Sequence, residues 1–266
     1  MAGEERWVLP DRAAALERCA KRKAEHVRCV LDILGGQPKN GGQTRANQGA
    51  HLEMLQTLGE GKAGASLAVK PSLLGAISDR KQCRSNLLEL ARAALNACAP
   101  VELDMEGRGL VDFTLQTALE AASSGLPVTL TLQAYLDRTA ADLERALDGR
   151  LCVRIVKGAY AGDTADFSDI QRRMRNLCGR LLESGADFCA GTHDPELIGW
   201  LEHEGSRRSL EFGFLMGLAD ETKLRLASSG WRVAEYVPFG TESGPYVVRR
   251  RRYLKALEKL GRTPAP

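Results

Sequence analysis

A chain of 266 residues, 44% hydrophobic and 27% charged, has the composition of an ordinary globular protein and the length of one α/β barrel or two small domains. A net charge of +3 with only 5% aromatic residues does not describe a nucleic-acid-binding surface. No apolar run approaches the roughly 18 residues of a membrane span, and MAGEERWVLPDR lacks a signal peptide's apolar segment, so the expected location is the cytoplasm.

Residues 1–25 read as a helical extension, with a helix at 11–25, ahead of a barrel over 26–266. From there, short β-branched runs alternate with longer helix-type segments, the signature of a parallel α/β fold. HVRCVLDIL (26–34) is the first strand, followed by a helix at 44–59, and SLAVK (66–70) the second, followed by 80–97. VELDME (101–106) precedes a helix at 110–123, VTLTLQAY (128–135) one at 139–147, and LCVRIVK (151–157) one at 167–184. ADFCAGTH (186–193) leads to 194–204, SLEFGF (209–214) to 219–228, and WRVAEYVPF (231–239) to a last helix at 245–260. Eight strand–helix units predict a (β/α)8 TIM-type barrel. The stretch GGQPKNGGQ (35–43) has no GK[ST] and reads as a mobile loop at the barrel rim.

Alternation along the strands sets what faces inward. In VELDME, Val101, Leu103 and Met105 point outward and Glu102, Asp104 and Glu106 inward; in LCVRIV, Arg154 points inward. The same parity places Asp32, Lys70, Gln133, Tyr135, His193, Glu211 and Tyr236 inside, mostly at the strands' C-terminal ends, where barrel enzymes build their sites. Each alone is more readily half of a structural ion pair; as a set they cost too much desolvation to serve stability only. On the last helix, Tyr246, Val247, Tyr253, Leu254 and Leu257 share a face with Arg250 in its middle. Arg249, Arg250 and Lys70 suit a carboxylate or phosphate. Seven scattered cysteines, never in CxxC, read as reduced, packed thiols, and four histidines without paired spacing give no metal site. With no nucleophile beside a base, much binding apparatus and little for proton transfer, the pattern points to a cofactor as the source of the chemistry, without saying which.

RIVKGAY (154–160), TLQAY (131–135), LDMEG (103–107), AVKPS (68–72), GTHD (191–194), EFGFLMG (211–217) and YVPFGTESGPYVVRR (236–250) together resemble proline dehydrogenase, in a compact, single-function prokaryotic form. The resemblance implies a distorted (β/α)8 barrel with its last helix over the mouth. It implies FAD, oxidation of proline to pyrroline-5-carboxylate as the first step of proline catabolism, and a quinone as electron acceptor. Coupling to a pyrroline-5-carboxylate dehydrogenase belongs to the same expectation. Any membrane contact made to reach the quinone would be peripheral, at the inner face. By resemblance, Arg249 and Arg250 pair with the substrate carboxylate, assisted by Lys70; Tyr236 and Tyr160 pack near the substrate ring, and Asp104 orders the site. Arg154 corresponds to the donor to flavin N5 and Gln133 to the residue at the pyrimidine edge. Lys157, with Gly158 beside it, Thr192 and His193 fall on the ribityl and diphosphate side, and Asp32 matches an acidic residue ending the first strand.

Four departures stand out. Gly36 replaces a glutamate, Ala161 a tryptophan, Gly213 a glutamine and Tyr253 a glutamate. Ala161 and Gly213 would enlarge the site, which motivates an alternative substrate, another cyclic or N-substituted amino acid. A non-catalytic basic protein using the run of four arginines is the remaining alternative. Since successive helical residues point about 100° apart, that run must divide, with Arg251 and Arg252 as solvated charges.

Overall fold

The structure, a computed structural model, describes residues 6–61 and 64–266. In chain order the elements are α1 (Arg12–Ala24), β1 (Arg28–Ile33), α2 (Gly41–Glu60), β2 (Ser66–Val69), α3 (Arg80–Ala97) and β3 (Val101–Leu103). They continue with α4 (Val111–Ser123), β4 (Val128–Gln133), α5 (Thr139–Asp148), β5 (Cys152–Val156), α6 (Phe167–Ser184) and β6 (Phe188–Gly191). The last are α7 (Pro195–Glu204), β7 (Leu210–Leu215), α8 (Asp220–Ser228), β8 (Arg232–Phe239) and α9 (Gly244–Lys259). The strands pair in parallel in sequence order, and β1 meets β8 from Arg28↔Ala234 to Ile33↔Phe239, closing a (β/α)8 barrel.

The hydrophobic core lies between barrel and helices. Leu31, Leu67, Val101, Leu103, Val153, Ile155 and Phe212, the outward set of their strands, are all buried there. Inside the barrel the apolar set is small, namely Val30, Ala68 and Ala234 under Tyr236. The rest of the interior is charged, and charges enclosed in this way must pair or bind something.

The placement of α1 determines that of α9. Glu235 points outward from β8, is buried, and accepts from Arg18 Nε (2.8 Å), Arg22 Nε (3.0 Å) and Lys223 Nζ (2.5 Å). This pins α1, together with α8, to the outer face of β8. The chain ahead of α1 is also laced on, since Leu9 N donates to Pro238 O and Gly240 N to Leu9 O, both at 3.0 Å. With that outer slot filled, the chain after β8 turns over the mouth instead. There Arg250 Nη2 donates to the carbonyl of Met216 (2.5 Å), and Tyr253 lies 6.2 Å from the His193 ring.

The elements differ from the sequence reading mainly at their ends. The 35–43 stretch is not all loop: Asn40 caps α2, its Oδ1 accepting from Gln43 N (3.0 Å), so the helix starts at Gly41. β3 ends at Leu103, although Asp104 N still reaches Val69 O (3.0 Å), which holds Asp104 in the inward register. Five cysteines are buried as expected, but Cys98 and Cys152 are exposed, one capping α3 and the other opening β5. Residues 1–5 of the predicted extension lie outside the described residues.

Candidate active site

The barrel interior is a ladder of ion pairs ending at the mouth. At its floor, Arg28 bridges Glu102 (2.9 Å) and Glu211 (2.6 Å). One level up, Arg154 donates through Nη1 to Glu102 (2.8 Å), through Nη2 to Asp104 (2.5 Å) and Thr131 (2.9 Å), and through Nε to Thr131 (3.2 Å). Four of its five N–H groups are thus committed, and one on Nη1 remains. Lys70 donates to Asp32 (2.5 Å) and to the Tyr236 hydroxyl (3.1 Å) and pairs with Asp104 (3.1 Å). Tyr236 in turn donates to Asp104 Oδ2 (2.6 Å), with the Arg154 guanidinium 5.2 Å from its ring centroid.

Burial opposes charge at every one of these groups, and the partners decide the outcome. Against the desolvation of burial, Lys70 and Arg154 hold Asp104 below the usual carboxylate range, and Asp32 and Asp104 raise Lys70. Burial and the two carboxylates push the Tyr236 hydroxyl well above 10.0. Lys70, Arg154 and Asp104 are therefore charged at neutral pH, with Tyr236 as a neutral donor.

The mouth is covered by α9 and the β5–α6 loop. Tyr160, in that loop, has its hydroxyl 3.4 Å from Glu106 Oε1, and Arg249 sits over its ring at 5.4 Å. Arg250 is 3% exposed, with its guanidinium 5.7 Å from the ring centroids of both Trp7 and Tyr246. Its Nε and Nη1 have no hydrogen-bond partner among the described residues, and burial pulls its pKa down. Arg251 and Arg252 are exposed on the far side of α9, so the run of four divides as the helical period requires.

Residues expected to meet a cofactor line the β4–β6 side. Gln133 Nε2 donates to Glu106 O (3.0 Å) and its Oε1 accepts from the Tyr135 hydroxyl (2.9 Å), leaving one amide hydrogen. Gly158, at φ 127°, has to be glycine for a local reason: a Cβ there would come 1.7 Å from the Tyr135 ring. His193 Nε2 accepts from Leu215 N (3.0 Å), which puts the proton on Nδ1. Burial and the nearby cations Arg250, Lys223 and Lys157 keep this imidazole neutral, its pKa well below 6.5. Thr192 is buried and its hydroxyl oxygen accepts from Asp194 N (3.1 Å). Lys157 bonds Asp194 (3.3 Å) and stands 4.0 Å from the centroid of Phe167.

A cavity of about 350 Å³ opens among Lys157, His193, Asp194, Phe167, Tyr253 and Arg262, at the N-terminus of α7. Its two cations are paired, Lys157 with Asp194, which also caps α7, and Arg262 with Glu196 (3.8 Å), so these cations and the neutral imidazole are the groups that could meet the phosphates of a dinucleotide such as FAD. Tyr253 lies in this wall, at the position where the resemblance leads one to expect a glutamate. Arg262, after α9, lies 4.9 Å from the Phe167 ring on a segment tied down by Ala265 N donating to His193 O (2.8 Å). Neither it nor Trp7 stands out as a site residue in sequence, because only the fold brings them to the mouth; Tyr246 shares the face of Arg250 by the helical period, which assigns it no role there.

Two departures prove to be compensated. A Cβ at Gly213 would meet Cys189 Sγ at 2.8 Å and Gly191 Cα at 3.3 Å, so the glycine does not enlarge the site; the thiol fills that space. A Cβ at Gly36 would lie 2.4 Å from Glu242 Oε2, so the β8–α9 loop brings a carboxylate to the spot where Gly36 lacks one. Ala161 is exposed in the β5–α6 loop.

The proline dehydrogenase family model matches residues 15–171. Proline dehydrogenase 1 of Bacillus subtilis is 27% identical over 260 residues, 93% of this chain and 85% of that protein. A proline dehydrogenase of Deinococcus radiodurans is 32% identical over 159 residues, 56% of this chain and 51% of that protein. Among solved structures, proline utilization A (PutA) of Bdellovibrio bacteriovorus superposes with a TM-score of 0.88 at 18% identity, a likeness of fold covering 96% of this chain. This chain spans only 33% of that much longer one. With a family model matched over more than half its length, on a closed barrel whose mouth carries two arginines, the chain belongs to the proline dehydrogenase family.

Proposed function

We propose that the protein oxidises L-proline to 1-pyrroline-5-carboxylate, using FAD and passing the electrons to a quinone. Family membership makes it an oxidoreductase acting on proline; the flavin, the acceptor and the residue roles are our reading. The observation that carries it is the charge balance at the mouth. The interior cations Arg28, Lys70 and Arg154 are consumed by Asp32, Glu102, Asp104 and Glu211. Arg249 and Arg250 touch only aromatic rings and one carbonyl, so they await an anion that the described residues do not supply. A single carboxylate on a small ring fits both.

In this reading Arg249 and Arg250 hold the carboxylate, while Tyr160 and Tyr236 wall the ring and exclude water. Lys70, whose protons go to Asp32, Asp104 and Tyr236, acts by fixing Tyr236 and Asp104 more than by reaching the substrate. Gln133, Arg154, Lys157, Gly158, Thr192 and His193 are the residues that would hold FAD, with the last Nη1–H of Arg154 free to donate. When bound, FAD supplies the hydride acceptor, and a fixed guanidinium beside it favours the reduced anion. The filled space at Gly213 and the exposed Ala161 give no support for a larger substrate ring. No helix among the described residues is long and apolar enough to cross a membrane, so contact with a membrane quinone would be peripheral. Coupling to a pyrroline-5-carboxylate dehydrogenase belongs to the same reading.

The test is the visible spectrum of the purified protein reconstituted with FAD, before and after anaerobic proline. Bleaching by proline, and not by hydroxyproline, pipecolate or N-alkyl amino acids at equal concentration, is expected. A protein that takes up no flavin, or a flavin that only another amine bleaches, would refute the reading.

A further inference from the structure

Trp7 reaches the mouth from outside the barrel. The arm that carries it is fixed on one side by the two Leu9 backbone bonds to the end of β8. On the other side it lies against Gly217, at φ 74°, where a Cβ would come 2.4 Å from Arg6 O and 3.0 Å from the Trp7 ring. The indole is held there 6% exposed, its ring centroid 5.7 Å from the Arg250 guanidinium carbon, and Tyr246 takes up the same distance from that carbon.

Six buried side-chain N and O atoms among the described residues have no hydrogen-bond partner. Four of them belong to these three residues: Trp7 Nε1, the Tyr246 hydroxyl, and Arg250 Nε and Nη1. Indole and guanidinium nitrogens donate only, and arginine cannot shed its proton to relieve the cost. Buried donors left without acceptors cost free energy in the folded chain, and a carboxylate, with two oxygens and about four acceptor positions, satisfies such a set.

We propose that Trp7 is a substrate-positioning residue whose indole N–H, with the Tyr246 hydroxyl, donates to the carboxylate gripped by Arg250. The inference rests on the amino-acid substrate proposed above, and it assigns part of the carboxylate site to the segment ahead of the first helix. The indole face also holds the guanidinium in place, so Arg250 needs no counter-ion from the protein to keep its orientation.

Trp7→Phe keeps a ring against Arg250 and deletes the N–H. The loss of one charge-assisted hydrogen bond should raise KM for proline about 10-fold with kcat within about twofold. The Kd of tetrahydrofuran-2-carboxylate, a ring carboxylate with no oxidisable nitrogen, should rise by the same factor. Oxidation of pyrrolidine, which has no carboxylate, should be unchanged. If wild-type protein oxidises proline while Trp7→Phe keeps its KM and competitor Kd, the role of Trp7 is refuted and the functional reading stands. An equal loss with pyrrolidine also refutes it, since the ring would then act by packing alone. If wild-type protein fails to oxidise proline, the functional reading itself falls. A second measurement needs no variant at position 7. The three tryptophans give three indole N–H signals, assignable through Trp200→Phe and Trp231→Phe, and saturating competitor should move that of Trp7 downfield. A stationary signal overturns the proposal.

Discussion

Arg250→Met separates a binding arginine from a structural one. In a satisfied buried ion pair, removing one partner costs about 3–5 kcal/mol, because the other charge is left stranded. Arg250 strands nothing: its contacts are the Met216 carbonyl and the rings of Trp7 and Tyr246. Those contacts are worth about 1 kcal/mol per ring and about 1.5 kcal/mol for the charged hydrogen bond. Against them stands the desolvation of a guanidinium that is 3% exposed and has two orphaned nitrogens, a cost of several kcal/mol. The two sides nearly cancel, so Arg250→Met should change stability by less than about 1 kcal/mol and Tm by less than about 4 °C in a chain of this size. Substrate use should collapse, because two charge-assisted bonds to a carboxylate are worth about 3 kcal/mol, or roughly 150-fold in kcat/KM. Urea titration of the apoprotein and steady-state kinetics of the reconstituted enzyme read the two effects separately. A variant that loses 3–5 kcal/mol of stability yet keeps its kcat/KM would show that Arg250 is structural.

Lys70→Met should behave in the opposite way: it strands Asp32 and weakens the hold on Asp104, so urea titration should register a loss of about 3–5 kcal/mol. Stability should also fall in mild acid. Burial lowers the pKa of His51 and His193 below the ordinary 6.5, so the unfolded chain takes up their protons first as pH drops. Stability is therefore fully present above 6.5 and declines below it, until each folded pKa is reached, by about 1.4 kcal/mol per pH unit for each histidine. Urea midpoints at pH 7.5 and 5.5 test this; His51→Gln should flatten the decline, and an unchanged slope would count against a neutral buried His51. Lys157→Met and Arg262→Gln should each weaken FAD binding about 10-fold, and less so near 0.5 M salt, because both line the cavity that suits the diphosphate. Flavin fluorescence titration measures it, and an unaltered Kd would place the phosphates elsewhere.

The sequence carried most of this site because strand parity is a local property. Once 101–106 and 151–157 are read as strands, the inward positions of Asp104 and Arg154 follow without knowing what lies opposite. The helical period likewise divided the four arginines. What parity cannot give is a partner. Lys70 reads as half of an ion pair or a grip for a carboxylate, and only β1 and β3 identify Asp32 and Asp104 as its partners. Gly213 reads as added room until the β6–β7 register sets Gly191 opposite and Cys189 Sγ in the gap. Trp7 and Arg262 lie on irregular segments flanking the helices, where no period marks an inward face.

The ion-pair ladder also explains why the last helix must do the binding. Every cation carried by the strands in the interior is neutralised by a carboxylate also on a strand or just beyond its end, so the barrel itself offers no net attraction for an anion at its mouth. An uncommitted cation has to come from an element outside that ladder. The element available is α9, because α1, clamped by Glu235 through Arg18 and Arg22, occupies the outer groove beside β8. Breaking that clamp would therefore act on the site from the opposite side of the barrel wall. With α1 loosened, the Leu9 strap and the Trp7 side of the Arg250 cradle loosen too, so Glu235→Gln should impair proline binding although Glu235 never touches the substrate.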